Sequence, residues 1–218
     1  MLKQHLSKLF VLATALLLLN ISSATAQETK PTLKVEDYDK FERLQRSTFT
    51  KNGLWLNYAT RTQGGDVVTY LYNTKNGTTT KYPNSSRARF SNNDLWMGIN
   101  KTLTGKESQN KKAKRPNEMY LINLATKDSI TFKDVANYSF SPVGNYIALS
   151  YSKSKTLVLR NLDTDAEISF GNVGGFSWKP KSLLVAMSIK TADNIGNMIQ
   201  LYNPKSGVIK VLDKSDSQ

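Results

Sequence analysis

Two phrases that each recur four times, and a change after Ser47 from helix-like to strand-like spacing, predict an all-β chain. The first phrase is an aromatic residue, a few turn-forming or polar residues, then an apolar run. The second is an apolar run that enters a turn and leads into another run. A unit of about 40 residues holding four short strands is the blade of a β-propeller, because each small sheet has faces that only a neighbouring blade can cover. The expected architecture is a partial β-propeller of about four blades behind a signal peptide and a short helix. Its boundaries are 1–26 for the signal peptide and 27–46 for the lead. The repeats follow at about 47–88, 89–136, 137–174 and 175–218.

The elements follow in order. Lys3 and Lys8 give a positive start, Leu9 to Leu19 is almost wholly apolar, and Ala24-Thr25-Ala26 supplies a small-x-small cleavage pattern. This reads as a secretory signal, too short and wrongly flanked to span a membrane, and predicts an exported, periplasmic or extracellular protein. From Leu33 to Arg46, Tyr38, Phe41 and Leu44 recur every three residues, with acidic side chains early and Arg43 and Arg46 late. That order suits a helix dipole and predicts one short amphipathic helix.

The first phrase then appears as Phe49 to Leu56, Phe90 to Met97, Phe140 to Ala148 and, more loosely, Trp178 to Ala186. The leading aromatics Phe49, Phe90, Phe140 and Trp178 are expected to pack between blades. The second phrase is Leu71 to Gly77, Ile122 to Asp128, Arg160 to Ala166 and Leu201 to Gly207, with Gly77, Asp128, Ala166 and Gly207 in equivalent places. In both phrases one interval is about ten residues longer than the others, and it spans a Lys-rich stretch. Residues from Lys101 to Glu118 are therefore an insertion within one repeat.

Composition narrows the chemistry. The 218 residues carry no cysteine and a single histidine, His5, which lies in the segment expected to be cleaved. The remaining chain has no imidazole for a Ser-His-Asp triad, no cysteine nucleophile, no Cys/His zinc site and no disulfide. No catalytic residue, cofactor or metal is expected. Asp134, Asp163, Asp165 and Asp193 lack a calcium-loop spacing and read as turn formers. Asn76, Asn84, Asn100 and Asn137 match the Asn-x-Ser/Thr pattern, which matters only in a glycosylating host. Gly174-Gly175 is too short for a phosphate loop and reads as a bend. The formal net charge is +13, and the basic residues concentrate in the insertion. Lys106, Lys111, Lys112, Lys114 and Arg115 form a candidate contact loop, against the plainer reading of a solvated loop. Export argues against nucleic acid as a partner.

Phe140-Ser141-Pro142-x-Gly144-x-Tyr146-x-Ala148 and Asn161-Leu162-Asp163-Thr164 resemble the WD-like propeller repeats of the prolyl oligopeptidase family. The same repeat type occurs in the periplasmic propeller protein of the Tol-Pal system. Val35-Glu36-Asp37-Tyr38-Asp39-Lys40-Phe41-Glu42-Arg43-Leu44, leading into Phe49-x-x-x-Gly53-x-Trp55-Leu56, resembles the opening of secreted bacterial prolyl-oligopeptidase-type serine peptidases. Asn194-Ile195-Gly196-Asn197-x-x-Gln200-Leu201-Tyr202 is also similar to that family. The resemblance implies an N-terminal propeller that screens peptides by size before an α/β-hydrolase domain. This chain has no Gly-x-Ser-x-Gly elbow, so the family's catalytic residues map to no position in it, and it is expected to have no activity alone. Four blades are few for a closed ring, so a segment of a longer or split enzyme is favoured. The partners expected are then a peptide substrate and the hydrolase domain. A free-standing exported propeller that binds a protein or peptide is the alternative.

Overall fold

The computed structural model describes residues 32–191 and 196–215. The expected signal peptide, Asp193 and Gln218 lie outside the described residues, as does part of the Asn194 to Tyr202 phrase. One compact unit begins at Glu36.

The described residues contain sixteen strands in four antiparallel sheets. The first blade is β1 (Glu42–Phe49), β2 (Trp55–Thr62), β3 (Val67–Asn73) and β4 (Thr79–Pro83). The second is β5 (Ser85–Phe90), β6 (Trp96–Lys101), β7 (Glu118–Asn123) and β8 (Ser129–Lys133). The third is β9 (Val135–Phe140), β10 (Tyr146–Tyr151), β11 (Thr156–Asn161) and β12 (Glu167–Phe170). The fourth is β13 (Val173–Trp178), β14 (Val185–Lys190), β15 (Asn197–Asn203) and β16 (Val208–Ser215). Every sheet is made of four consecutive strands in sequence order. This is a partial β-propeller.

The two repeated phrases become two kinds of turn. After the leading aromatic, Thr50, Ser91 and Ser141 each accept a hydrogen bond through the hydroxyl from the backbone N–H five residues on, at 3.0, 3.0 and 3.2 Å. These hydroxyls are buried and close the turn between the first and second strands of their blades. At the end of each third strand, Asn73, Asn123, Asn161 and Asn203 accept through Oδ1 from the N–H two residues on. This is the side-chain mimic of a turn for which Asn is favoured. The residue four places beyond each Asn takes a left-handed backbone: Gly77, Lys127, Asp165 and Gly207, with φ between 61° and 70° in the last three. The equivalent positions in the second and third copies are thus Lys127 and Asp165, one residue before Asp128 and Ala166. The two glycines had marked the place, and Lys127 and Asp165 fill it without that cue.

Of the short amphipathic helix expected over 33–46, only the first part is helical. A short 3-10 helix covers Val35–Lys40, and Glu42 to Arg46 belong to β1, paired with β2 from Glu42↔Thr62 to Phe49↔Leu56. Tyr38, Phe41 and Leu44 remain 57%, 49% and 67% exposed, so a helix presenting them would have nothing to pack against. The ladder with β2 instead satisfies the backbone.

Three apolar clusters join consecutive blades. Trp55 and Leu71 of the first blade meet Met97, Ile99 and Ile122 of the second. Met119 and Leu121 meet Tyr138, Ile147 and Leu149 of the third. Leu157 and Leu159 meet Val185, Met187 and Tyr202 of the fourth. Phe90, Phe140 and Trp178 pack against these clusters as expected. Phe49 does not: it is 59% exposed, because no described blade lies on its side of β1 and β2. On that same face Tyr58 and Tyr70 stack on each other, with ring centroids 4.8 Å apart.

Candidate functional site

The third interface along the chain is filled by aromatic packing, and so is the second. Tyr138 on β9 pairs with Leu149 and lays its ring on Gly98, where an added Cβ would strike the ring. Its hydroxyl donates to the carbonyl of Arg87 at 2.9 Å and to that of Gly98. In the third interface Phe176, paired with Met187, packs against the cluster that holds Ala148. The register makes Ala88 the counterpart of Tyr138 and Phe176 on β5, one residue before Arg89, as Ser139 and Ser177 follow those rings. Asn57 on β2 is the counterpart of Gly98 and Ala148. The first interface therefore has a methyl group where the others have a ring, and a carboxamide where they have Gly or Ala.

A cleft of about 500 Å³ occupies the vacated space. Its wall combines Asn57, Ala59, Arg61, Val67 and Thr69 from the first blade with Arg87, Ala88 and Arg89 from β5. Arg46 enters from the bulge in β1 between Leu44 and Ser47, and Arg87 and Ala88 from the matching bulge in β5 between Ser86 and Arg89. A bulge re-aims side chains that a regular strand would alternate. Arg87 has a φ of 57°, an uncommon conformation for a long side chain. The Tyr138 hydroxyl bonded to its carbonyl holds it there. Arg89 donates to the Tyr138 carbonyl at 3.1 Å.

The insertion closes one side. It joins β6 to β7 and contains helix α1 (Gly105–Gln109), capped by Thr104 and Glu107. Hydrogen bonds from the Thr104 backbone and hydroxyl hold the Glu107 carboxylate below its usual range. The insertion docks on the β2–β3 hairpin of the first blade: the Gly105 N–H donates to Asp66 Oδ1 at 2.6 Å. An added Cβ on Gly105 would run into the Gly64 carbonyl, and one on Gly65 would lie 3.3 Å from Gly105 Cα. Lys101 and Glu118 pair at 3.3 Å across its base, a contact that raises the Lys101 ammonium above its ordinary value. Leu103, Ser108 and Arg115 of the insertion also line the cleft.

The predicted contact loop is thereby divided. Arg115 lines the cleft, whereas Lys106, Lys111, Lys112 and Lys114 are exposed and outside its lining. Arg61, Arg87 and Arg89 were not singled out in the sequence, and Arg46 only as a late residue of the expected helix, although they, with Arg115, carry the charge of the site. Elsewhere, Asp134 pairs with Lys153 at 2.5 Å, Asp165 with Arg160 at 2.7 Å, and Asp163 accepts from the Asn145 amide. Gly174 and Gly175 sit in a bulge of β13. Among the described residues no three His, Cys, Asp or Glu side chains cluster to hold a metal, and no helix is long and apolar enough to cross a membrane. A second, shallower groove of about 440 Å³ lies among Phe140, Pro142, Phe176, Trp178 and Pro180, with Arg89 at its rim.

No family model and no curated protein matches the chain. Solved structures do. The β-propeller domain of the Trilobed protease from Pyrococcus furiosus superposes with a TM-score of 0.52 at 13% identity, over 79% of this chain and 58% of that one. A eukaryotic initiation factor gives 0.53 at 13% identity, over 79% and 43%. The acylaminoacyl peptidase of Pyrococcus horikoshii gives 0.49 at 11%, over 82% and 34%. This chain covers less than two thirds of each of these proteins. At such identities the likeness is one of fold: the described residues form a partial β-propeller of four sheets, with the first blade interface opened into an arginine-lined cleft.

Proposed function

We propose that this chain is a non-catalytic propeller segment of an exported, periplasmic or extracellular prolyl-oligopeptidase-type serine peptidase. In this reading it screens peptides on their way to a hydrolase domain that the chain does not contain. One observation carries the need for more blades. Leu71, Leu121 and Leu159 occupy one position of the repeat, each at most 1% exposed beneath the following blade, whereas their counterpart Leu201 is only half-buried. On the opposite face, Met97, Ile147 and Val185 are all 0% exposed beneath the preceding blade, whereas their counterpart Leu56 is half-buried and Phe49 beside it is open. Both end faces carry interface residues without an interface, which fits four consecutive blades of a larger ring.

The peptidase part of the reading rests on the repeat and opening motifs, with the protease propeller among the similar folds as support. It also accords with a chain that lacks its own nucleophile elbow and, beyond His5, any histidine. Sequencing the gene past the codon for Gln218, or the gene beside it, tests this. The expected result is a Gly-x-Ser-x-Gly elbow followed by a late histidine. Their absence, together with a cooperative melt of the purified chain as a monomer, would overturn the proposal in favour of a free-standing propeller that binds a protein or peptide.

A further inference from the structure

We infer that the cleft between the first and second blades is a binding site for a small, multiply charged oxyanion of phosphate or polycarboxylate type. The inference does not depend on the peptidase reading. Five arginines, Arg46, Arg61, Arg87, Arg89 and Arg115, contribute to the lining of a single cleft of about 500 Å³, and of these Arg89 also donates to the Tyr138 carbonyl of the third blade. The lining contributes no Asp or Glu, and among the described residues none of the five pairs with a carboxylate. Asp66 and Glu107, each next in sequence to a lining residue, are outside the lining and accept from the Gly105 N–H and from Thr104. Arginine stays charged at any physiological pH and offers planar forks of donors suited to phosphate and carboxylate oxygens. Cations gathered without counter-charge repel one another until an anion enters, and a concave site focuses that field.

The second observation is independent of charge. Asn57 is 3% exposed, lines the same cleft, and its amide Nδ2 has no hydrogen-bond partner. Buried donors are almost always paired, so an unpaired one at a cavity wall points to a missing acceptor. The place it occupies holds Gly98 and Ala148 in the next two interfaces, where an aromatic ring fills the space. The first interface thus trades ring packing for a donor and a void. Ala59, Val67 and Leu103 give the cleft an apolar part, so a ligand with a carbon skeleton fits as well as an inorganic anion.

Isothermal titration calorimetry of the full chain with inorganic pyrophosphate, orthophosphate and citrate tests the site at low and near-physiological salt. Saturable binding of one anion per chain is expected, and preference between pyrophosphate and citrate separates the phosphoryl from the carboxylate source. Replacing two arginines, Arg61→Gln with Arg87→Gln, is expected to weaken binding by about tenfold or more. The charge-matched pair Lys179→Gln with Lys205→Gln, on the fourth blade, is expected to leave it within about twofold, since exposed charges at such range are screened. Ala88→Tyr combined with Asn57→Gly copies the Tyr138–Gly98 arrangement, keeps every charge, and is expected to abolish binding. No saturable binding of any of the three anions overturns the inference, as does equal weakening by the lysine and arginine pairs. Undiminished binding by a folded Ala88→Tyr/Asn57→Gly chain also overturns it. Should that variant not fold, the comparison of arginine and lysine pairs decides alone.

Discussion

Tyr138 shows how much one side chain does at a blade interface. Its ring covers Gly98 and its hydroxyl reaches two carbonyls of the preceding blade, so one residue of β9 fixes both the packing of β6 and the bulge of β5. Tyr138→Phe keeps the ring and removes both hydroxyl hydrogen bonds, and a cost of about 1–3 kcal/mol is expected in urea unfolding. Burial raises the phenol above its ordinary value of 10.0. The folded form therefore holds this proton more tightly than the unfolded form, and the contribution is complete below the unfolded value. Stability is expected to fall as pH rises past that ordinary value, and the fall should be shallower in Tyr138→Phe, as unfolding midpoints across alkaline pH will show. Gly98→Ala, which drives a Cβ into the ring, should destabilise by about 1–3 kcal/mol or more through overpacking.

Among the elements, the insertion between β6 and β7 is held by few contacts, and they are specific. Asp66 accepts the Gly105 N–H, and Lys101 and Glu118 clasp the base. Asp66→Ala removes a charge-assisted acceptor worth about 1.5–3 kcal/mol, so the insertion should open about 10- to 150-fold more often. Trypsin cleavage after Lys111 and Lys112 measures this, and unchanged cleavage would mean the hairpin contact does not hold the insertion. The insertion was legible beforehand because it lengthened two repeat intervals at once. So were the four blades, whose Asn-led turns and aromatic-led turns both left residue patterns. The end of the lead was misread because Phe41 and Leu44 continue the spacing of Tyr38 like a helix face, and only the ladder from β1 to β2 shows that the backbone from Glu42 is committed elsewhere. The cleft left no motif. It arises from what Ala88 lacks relative to Tyr138, and from arginines spread over residues 46 to 115 that strand register and the docked insertion bring together.

At the scale of the whole molecule, stability in a blade array comes from neighbours, and each blade's share depends on how many it has. The second and third blades are covered on both faces, whereas the first and fourth are covered on one. Amide protection should accordingly be greatest in β6, β7, β10 and β11 and least in β1 and β16, whose residues are exposed throughout. The four equivalent leucines give a sharper measurement. Leu121→Ala and Leu159→Ala empty fully buried sites and should cost about 2–5 kcal/mol each. Leu201→Ala, at a half-buried site, should cost roughly half as much, because apolar contact that was never made cannot be lost. If further blades complete the ring, joining the chain to the segment that supplies the next blade should raise the cost of Leu201→Ala to that of Leu159→Ala. If the cost stays low in that longer protein, the fourth blade ends the array, and the face carrying Leu201, Ile199 and Val208 is exposed in the working molecule as well.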